Sequence, residues 1–338
     1  MKIIYPRPGI PSWHVITVMV RLLARLTEAD LVVPHVDDVR GNARRYAGLL
    51  PRRRGTEPLL IVAPEPVDLN AALHLQAWTK GYGPVVGWVI DSWWDDRIPA
   101  CARRGFYDVI YVTEQESVEP WRAATGADVR WLPQGSNVLD WGSGSPDRPV
   151  TLQRVGRQPA SWDDDASVMA ECHELGLVYA GRPAFRNGAE EGMADLLVNL
   201  GRARFSLAFS SKHDPQVYTH PTREYVTGRW TDSLAAGAVV AGIAPDCAST
   251  RELFWPGALL DLGSVDRSLG LDRLAQADAV WTPETAAHNH LMSLKRLDWR
   301  WRIKTLADDL GLSAAPLDDA LAQLKNRIAE LEAAAPQG

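Results

Sequence analysis

The chain has 338 residues, of which 46% are hydrophobic and 23% are charged, and this balance excludes a disordered chain and a collagen-like repeat. Its length predicts two domains, and its net charge of -6 argues against a nucleic-acid partner. Three widely separated cysteines argue against a zinc knuckle or a disulfide framework, and they favour a reducing, cytoplasmic location.

The start of the chain and its apolar runs give no sign of an export signal or a membrane segment. The longest apolar runs are far shorter than the ~20 residues that a membrane-spanning helix needs. Prolines at positions 6, 8 and 11 interrupt the start before a long apolar run can form. We therefore expect no transmembrane segment.

The first part of the chain alternates apolar runs with segments of helical spacing. Residues 15–26 and 116–124 are predicted helices. Continuously apolar strands with helices between them favour a parallel sheet that is covered on both faces. We place a Rossmann-like domain at residues 1–145. Its predicted strands are residues 2–5, 29–34, 59–63, 85–90, 109–113 and 129–132.

The same pattern starts again after a linker rich in Gly, Ser and Pro at residues 142–149. A helix is predicted at residues 231–236, and a second Rossmann-like domain is placed at residues 146–290. The predicted fold class is therefore α/β, with two doubly wound domains that face each other across a cleft. The predicted strands of the second domain are residues 150–155, 178–180, 205–209, 238–241 and 259–262.

Residues 291–338 are predicted to be helical. One long helix is predicted at residues 288–310, and a last helix at residues 317–333. The apolar positions of the last helix alternate by four and three over two heptads. This spacing predicts either a homodimer through residues 317–333 or a helix that docks on its own domain.

The segment from Glu224 to Ala241 contains the most specific motif of the chain. Glu224 and Asp232 are two acids separated by seven residues, and a helix rich in small residues, Gly237 and an apolar strand follow them. Carboxylates accept hydrogen bonds from sugar hydroxyls, and a helix N-terminus binds phosphate. The segment resembles the E-x7-E signature of family-4 GT-B glycosyltransferases. Arg229-x-x-Asp232 is also similar to the Arg-x-Phe-Glu pattern of spore-maturation-type enzymes.

This resemblance implies a GT-B fold and the transfer of a sugar from a nucleotide-diphosphate sugar to a small-molecule or glycan acceptor that bears a hydroxyl group. It also implies that no metal or other cofactor takes part, and it favours retention of the anomeric configuration. Glu224 would hold the donor sugar and Asp232 the ribose. Thr227 and Gly228 would offer backbone N–H groups to the diphosphate, and Arg229 would neutralise its charge.

A second passage of the same families follows the first strand of the second domain. Gly156 and Arg157 resemble the "V-G-R" passage, in which the arginine binds the donor diphosphate. The lysine that usually comes a few residues later is missing here. We expect Arg182 or Arg229 to supply that charge.

In the first domain, Asp91 ends a predicted strand, and Trp93 and Trp94 follow it in a passage that resembles spore-maturation-type enzymes. Asp91 is interpreted either as a residue that binds the acceptor or acts as a base, or as a helix cap. His14 lies with Ser12 in a loop rich in Gly and Pro, and it is either a second candidate base or a structural residue. The resemblance implies that the loop with Ser12 lies on the acceptor side. We also expect the two indoles there, because indole rings stack on sugar faces.

Asp163-Asp164-Asp165 contains the D-x-D spacing that binds a metal ion in GT-A enzymes, but it is predicted to start a helix, where acids favour the helix dipole. No metal site is predicted. Two further functions stay open. One is a GT-B nucleotide-sugar epimerase, which uses no acceptor. The other is a non-catalytic module that binds a nucleotide sugar or a glycan, which the aspartate at position 232 and the missing lysine keep open.

Overall fold

The computed structural model describes residues 1–34, 55–73, 81–184 and 186–334. The chain divides into two compact units. Unit 1 comprises Met1–Pro133 and Arg302–Leu321, and unit 2 comprises Gln134–Trp301 and Ala322–Gly338. The predicted domain boundaries lie at residues 145/146 and 290/291. The boundaries between the units lie at residues 133/134, 301/302 and 321/322, so the segment 302–321 belongs to unit 1 again.

Unit 1 contains a parallel sheet with the strand order β2-β1-β3-β4-β5-β6. Its central strands are apolar throughout and buried, as expected for a sheet that is covered on both faces. The strands are β1 (Lys2–Ile4), β2 (Asp30–Val32), β3 (Leu59–Ala63), β4 (Val85–Val89), β5 (Val109–Val112) and β6 (Asp128–Trp131). The α-helices described in its first segment are α1 (His14–Leu26), α2 (Ala100–Arg103) and α3 (Val118–Thr125), with 3-10 turns at Pro11–Trp13, Pro66–Leu73, Asp95–Arg97 and Gln115–Ser117.

Unit 2 contains a second parallel sheet, with the order β11-β10-β9-β7-β8. Its strands are β7 (Val150–Arg154), β8 (Tyr179–Ala180), β9 (Ala203–Phe209), β10 (Val239–Ile243) and β11 (Leu259–Asp261). The helices from residue 138 to residue 296 are α4 (Val138–Trp141), α5 (Asp165–Glu174), α6 (Ala189–Leu200), α7 (Gly228–Ala235), α8 (Ala248–Leu253), α9 (Arg267–Ala279) and α10 (Pro283–Arg296), with 3-10 turns at Ala160–Trp162 and Ser211–His213. Two helices complete the described chain, α11 (Trp299–Asp309) and α12 (Ala315–Ala334).

The predicted α/β class with two parallel sheets is confirmed. Each predicted strand is present, and the strand ends shift by one or two residues. Asp164 is the N-cap of α5, and its carboxylate accepts a hydrogen bond from the backbone of Ala166 at 3.1 Å. The acidic triplet therefore starts a helix, as predicted. In the part of the chain that the structure describes, no helix is both long enough and apolar enough to cross a bilayer.

The strand orders define one switch point in each sheet. In the first sheet β1 lies between β2 and β3, and in the second β7 lies between β8 and β9. The chain therefore leaves β1 and β7 in one direction and later returns on their other side. In open parallel sheets, ligands bind at the carboxyl ends of the strands where this reversal occurs. The ends of β1 with β3, and of β7 with β9, are thus the places to look for a site.

The single long helix predicted at residues 288–310 is wrong, because the structure ends α10 at Arg296 and starts α11 at Trp299. Asp298 interrupts the helix. Its buried carboxylate accepts a hydrogen bond from the backbone N–H of Arg300 at 2.9 Å and another from Leu139 at 2.8 Å. The acid thus caps the helix that follows, which competes with continuing the one before it.

The apolar positions of α12 differ in burial. Leu317, Leu321 and Leu324 are buried within the single chain, whereas Ile328 and Leu331 are partly exposed. The first part of the helix is therefore docked, and the homodimer through residues 317–333 stays a prediction.

Arg148 lies in the segment that was predicted to be a linker, yet its side chain is buried. The guanidinium donates hydrogen bonds to five backbone carbonyl oxygens, those of Ser143, Ser145, Leu200, Ala203 and Ala236. Two of these carbonyls end α6 and α7, where helix carbonyls lack partners of their own. Burial lowers the pKa of Arg148 to about 10, so the side chain stays charged at neutral pH. Gly237 packs against it with a φ of 82°, and a Cβ there would collide with Arg148 Nη2.

Replacing Arg148 by alanine should lower the free energy of unfolding by about 3 kcal/mol or more, because buried carbonyl oxygens lose their donor. Urea denaturation would measure the change. Arg251→Ala is the control, since the Arg251 side chain is 63% exposed in its ion pair with Asp246. It should change the free energy by about 0.5 kcal/mol at most. Equal effects of the two substitutions would contradict the role given to Arg148.

Candidate functional site

Residues from three distant segments meet at the switch point of the second sheet. Gly156 and Arg157 follow β7, Ser210 follows β9, and Arg229 lies in the first turn of α7. Gly156 has a φ of 65°, and a Cβ on it would lie 4.0 Å from Arg229 Cζ. The backbone after β7 therefore passes directly beside the Arg229 guanidinium. The predicted grouping of Gly156, Arg157 and Arg229 is present in the structure.

Arg229 differs from a structural arginine in its partners. Its Nη1 donates to the carbonyl oxygens of Arg157 at 3.3 Å and Phe209 at 3.5 Å. No carboxylate among the described residues forms an ion pair with it. Burial, followed by the neighbouring charge of Arg157, lowers the pKa of Arg229 to about 10. At neutral pH the group is a partly buried cation with no anionic partner among the residues that the structure describes.

The N-terminus of α7 adds to this positive potential. Its N-cap residue, Thr227, has extended backbone angles, and its side chain makes no capping hydrogen bond. Thr227 Oγ1 is shielded from solvent and has no hydrogen-bond partner among the described residues. The first N–H groups of a helix lack partners within it, and the helix dipole favours an anion there. Thr227 and Gly228 thus lie at a helix N-terminus, a position whose chemistry suits an anion.

Glu224 provides the acidic side of the same site. Ser210 Oγ donates a hydrogen bond to Glu224 Oε1 at 2.5 Å, and Lys212 Nζ lies 3.6 Å from Glu224 Oε2. The Glu224 side chain is 11% exposed, whereas that of Lys212 is 63% exposed. The carboxylate is therefore held by its own chain while it keeps a small exposed surface. A hydroxyl group of a ligand could donate to it there.

Arg157 is the second cation of the site, and it has partners of its own. Its Nη1 lies 3.2 Å from Asp214 Oδ2, and its Cζ lies 4.7 Å from the centre of the Tyr218 ring. Two guanidinium groups, a helix N-terminus and the carboxylates of Glu224 and Asp214 thus lie together at the ends of β7 and β9. This arrangement suits a ligand with a phosphate group and neighbouring hydroxyls.

Two residues predicted for this site lie elsewhere. Asp232 is 3% exposed, and its carboxylate accepts a hydrogen bond from Ser136 Oγ at 2.6 Å. The residue is almost entirely buried, and Ser136 already uses one of its carboxylate oxygens. Arg182 is exposed and follows β8, the edge strand of the sheet, and its backbone N–H donates to Asp165. Neither residue joins the group around Arg229, because strand order and helix orientation carry them to other partners.

The switch point of the first sheet carries a different cluster. Arg7 follows β1, and its guanidinium contacts Glu65 Oε2 at 2.7 Å and Asp68 Oδ2 at 2.9 Å. Asp91 follows β4, and its backbone N–H donates to Pro64 at 2.9 Å. Burial raises the pKa of Asp91 well above its ordinary value, the nearby Glu65 raises it further, and Arg7 acts in the opposite direction. A carboxyl group with a raised pKa can act as a general acid or base.

The other first-domain residues are placed less favourably. His14 is buried as the first residue of α1, and burial lowers its pKa. Ser12 lies in an exposed 3-10 turn. Trp93 and Trp94 are 3% and 7% exposed, and the Arg97 guanidinium covers the ring of Trp94. The indole faces are therefore inside the protein, and the predicted aromatic wall for an acceptor is not present in this conformation.

No protein-family model matches this sequence, and no curated protein matches it. Solved structures that are similar to it include the following three. A GtfA/B complex has a TM-score of 0.45 at 12% identity over 79% of this chain. The Gap123 glycosylation-associated protein complex from Streptococcus agalactiae has a TM-score of 0.42 at 11% sequence identity over 82% of this chain. The S. aureus MnaA–UDP structure has a TM-score of 0.47 at 11% sequence identity over 90% of this chain.

This chain spans 60% of the matched GtfA/B chain, 55% of the matched Gap123 chain and 94% of the MnaA chain. The assignment of this protein to the family-4 or spore-maturation type stays a prediction. The chemistry of the site rests on the geometry of its own residues.

No group of three or more His, Cys, Asp or Glu side chains that could hold a metal ion was found among the residues that the structure describes. The absence of a resident metal in the mechanism stays a prediction.

Several site residues have no motif in the sequence. They are Arg7, Glu65, Asp68, Ser210, Lys212, Asp214 and Tyr218. Each lies just after a strand or in the loop that follows it. The predicted strand ends place these residues near a ligand-binding edge of a sheet. The strand order is needed to show that the switch points lie between β1 and β3 and between β7 and β9.

The pH dependence of stability should report the burial of Asp232. Burial raises the pKa of Asp232 to about 7, and the hydrogen bond from Ser136 acts in the opposite direction. The folded state thus binds the proton more tightly than the unfolded state. The free energy of unfolding should therefore fall between about pH 4 and pH 7 and then level off.

Asp232→Asn should remove this contribution, which amounts to about 3 kcal/mol between pH 5 and pH 8. Urea denaturation at both pH values would measure it. Asp246→Asn, at a side chain that is 85% exposed, is the control and should leave the pH dependence unchanged. An unchanged pH dependence in Asp232→Asn would contradict the buried state of this carboxyl group.

Proposed function

We propose that this protein is a GT-B glycosyltransferase that moves a sugar from a nucleotide-diphosphate sugar to a hydroxyl-bearing acceptor. One observation carries the proposal. Arg157, Arg229 and the N-terminus of α7 lie together at the switch point of the second sheet, with Glu224 beside them. A diphosphate with an attached sugar combines the two chemical groups that such a site binds.

The diphosphate is assigned to the cationic side. Arg229 has no carboxylate partner among the described residues, so a bound anion gains a charge-assisted hydrogen bond without displacing another acid from it. Gly156 has a φ of 65°, which favours glycine, and this turn carries the backbone past the Arg229 guanidinium. When the bond between the sugar and the diphosphate breaks, the leaving diphosphate takes the electron pair. The two arginines and the helix N-terminus stabilise that charge.

The donor sugar is assigned to Glu224. Ser210 and Lys212 hold its two carboxylate oxygens, which fixes the direction of the carboxylate. A fixed acceptor of hydrogen bonds can orient the sugar hydroxyls relative to the leaving diphosphate, and orientation supplies a large share of catalysis. The resemblance to retaining enzymes favours retention without a protein nucleophile and without a metal ion.

The acceptor is assigned to the Asp91 region as part of the same proposal. In an inverting reaction Asp91 would take the proton of the acceptor hydroxyl as the new bond to the sugar forms. Its raised pKa, which burial and Glu65 cause, would make it a stronger base than an ordinary carboxylate. In a retaining reaction it would only hold the acceptor. His14 is the second candidate base.

A second candidate function is a module that binds a nucleotide sugar without transferring it. The position of Asp232 favours it, because this acid of the E-x7-E pattern is buried against Ser136. Radiolabelled nucleotide sugars distinguish the functions. Transfer or hydrolysis supports the transferase, a changed sugar supports an epimerase, and binding alone supports the module.

Nucleoside diphosphates should raise the thermal unfolding temperature of the protein, because a ligand that binds only the folded state stabilises it. A panel with different bases would also identify the preferred base. Arg229→Gln should weaken binding by about 10- to 100-fold through the loss of a charged hydrogen bond. Arg204→Gln, at the amino end of β9, is the matched control and should bind like the wild type. A response to no member of the panel would contradict the proposed donor site.

Glu224→Gln should keep its affinity for the nucleoside diphosphate but lose turnover of the preferred nucleotide sugar by about 100-fold or more, because the amide supplies no charge to the sugar. Product formation from a radiolabelled donor would measure it. Glu171→Gln, whose carboxylate pairs with Arg267 on α9, is the control. Full activity of Glu224→Gln would exclude Glu224 from the reaction.

A further inference from the structure

Arg157 is held by two contacts that come from one short segment of the loop after β9. The segment is residues 214–219. Asp214 Oδ2 lies 3.2 Å from Arg157 Nη1, and the Tyr218 ring lies 4.7 Å from Arg157 Cζ. The same guanidinium is assigned to a ligand phosphate in the proposed function. The Asp214 carboxylate is therefore paired with the guanidinium that the proposed ligand phosphate would bind.

Segment 214–219 is braced by its own hydrogen bonds. Gln216 Nε2 donates to Asp214 Oδ1 at 2.9 Å, and the backbone N–H of Gln216 donates to Thr219 Oγ1 at 2.8 Å. Both carboxylate oxygens of Asp214 are thus used, one within the segment and one by Arg157. At the tip, Val217 is 96% exposed. Residues 215–218 are all exposed, whereas Thr219 is buried. Segments with little buried surface open at a low free-energy cost.

The charges around the site explain why Asp214 is there. Arg157 and Arg229 lie close enough for the charge of Arg157 to lower the pKa of Arg229, while the carboxylate of Asp214 acts in the opposite direction. Asp214 therefore offsets the repulsion between two neighbouring guanidinium groups when no ligand is bound. An incoming phosphate group supplies the same negative charge, so it can replace the carboxylate.

We propose that Asp214 is an internal competitor of the ligand, which must displace the carboxylate from Arg157 before both arginines can bind phosphate. The proposal rests on the proposed function, since it concerns the same anion site. It also makes Asp214 a residue that determines specificity. A single phosphate can bind Arg229 and the start of α7 while Asp214 stays on Arg157. A diphosphate spans both arginines and must displace Asp214.

The displacement has a measurable effect on affinity. A site that is mostly occupied by its own carboxylate binds ligand with an affinity reduced by the fraction that is open. The ion pair is partly exposed, with side-chain exposures of 26% for Arg157 and 17% for Asp214. Removing such a partly exposed pair should tighten binding by about 2- to 5-fold, which corresponds to about 0.5–1 kcal/mol.

Titration calorimetry of the full chain with inorganic pyrophosphate and with orthophosphate tests the proposal without knowledge of the base. Asp214→Asn should increase the affinity for pyrophosphate by that factor and leave the affinity for orthophosphate nearly unchanged. Asp278→Asn is a closely matched control. Asp278 pairs with Arg204 at 2.9 Å, is also 17% exposed, and its arginine also lies over an aromatic ring, that of Trp281. The Asp278→Asn substitution removes the same charge at the amino end of β9, so this variant should bind both anions like the wild type.

A background without Arg157 separates displacement from a general effect of charge. Arg157→Gln and the double variant Arg157→Gln/Asp214→Asn should bind pyrophosphate with similarly weak affinity, because without Arg157 no ion pair has to be broken and only the charge effect of Asp214 on Arg229 remains. Tightening by Asp214→Asn in that background that is as large as in the wild type overturns the proposal, as does equal tightening of pyrophosphate and orthophosphate. So does unchanged or weaker binding of pyrophosphate by Asp214→Asn alone.

The failure of this proposal can be distinguished from the failure of the proposed function. If wild type binds nucleoside diphosphates and pyrophosphate but Asp214→Asn binds them no more tightly, only the role of Asp214 is overturned. If neither protein binds any of these anions, the anion site itself is overturned, and the proposed function with it.

Discussion

The candidate site depends on how helix α7 is held in place. At its carboxyl end, Arg148 donates to the carbonyl of Ala236, and Gly237 leaves no Cβ in the way of that arginine. Along its side, the hydroxyl of Thr231 donates to Gly135, and Asp232 accepts from Ser136. With its end and its side fixed by buried polar contacts, the helix can present its first turn at only one position. That position is the switch point between β7 and β9.

Two arginines of the second unit illustrate how structural and ligand-binding roles differ. Arg148 is buried, and all three of its side-chain nitrogens donate to carbonyl oxygens, so it has no capacity left for a ligand. The hydrogen bonds of Arg229 to the described residues use one nitrogen, Nη1, and are long, at 3.3 and 3.5 Å. Burying a cation costs free energy that its partners must offset. Arg229 is therefore the group whose environment improves when an anion binds, and Asp214 moderates the charge until then.

In both sheets polar residues gather at the switch point, but the predominant charge there is negative in the first sheet and positive in the second. At the first switch point Arg7 lies between Glu65 and Asp68, with Asp91 close by, so carboxyl groups are in excess. At the second, guanidinium groups and a helix N-terminus dominate around Glu224. Parallel strands end at one edge of the sheet, so loops that are distant in sequence deliver their polar residues to the same edge. The charge of each edge then decides which ligands it can bind.

The amino-acid sequence was sufficient to predict the α/β class, the strands to within two residues, the helix start at Asp164, and the grouping of Gly156, Arg157 and Arg229. These follow from local periodicity, capping and the spacing of residues along the chain. The three-dimensional structure was needed for the strand order, the burial of Trp93, the break at Asp298 and the partner of Asp232. Each of these depends on a contact with a segment distant in sequence. Asp232 faces Ser136 because of the orientation of α7, and no spacing within residues 224–241 encodes that orientation.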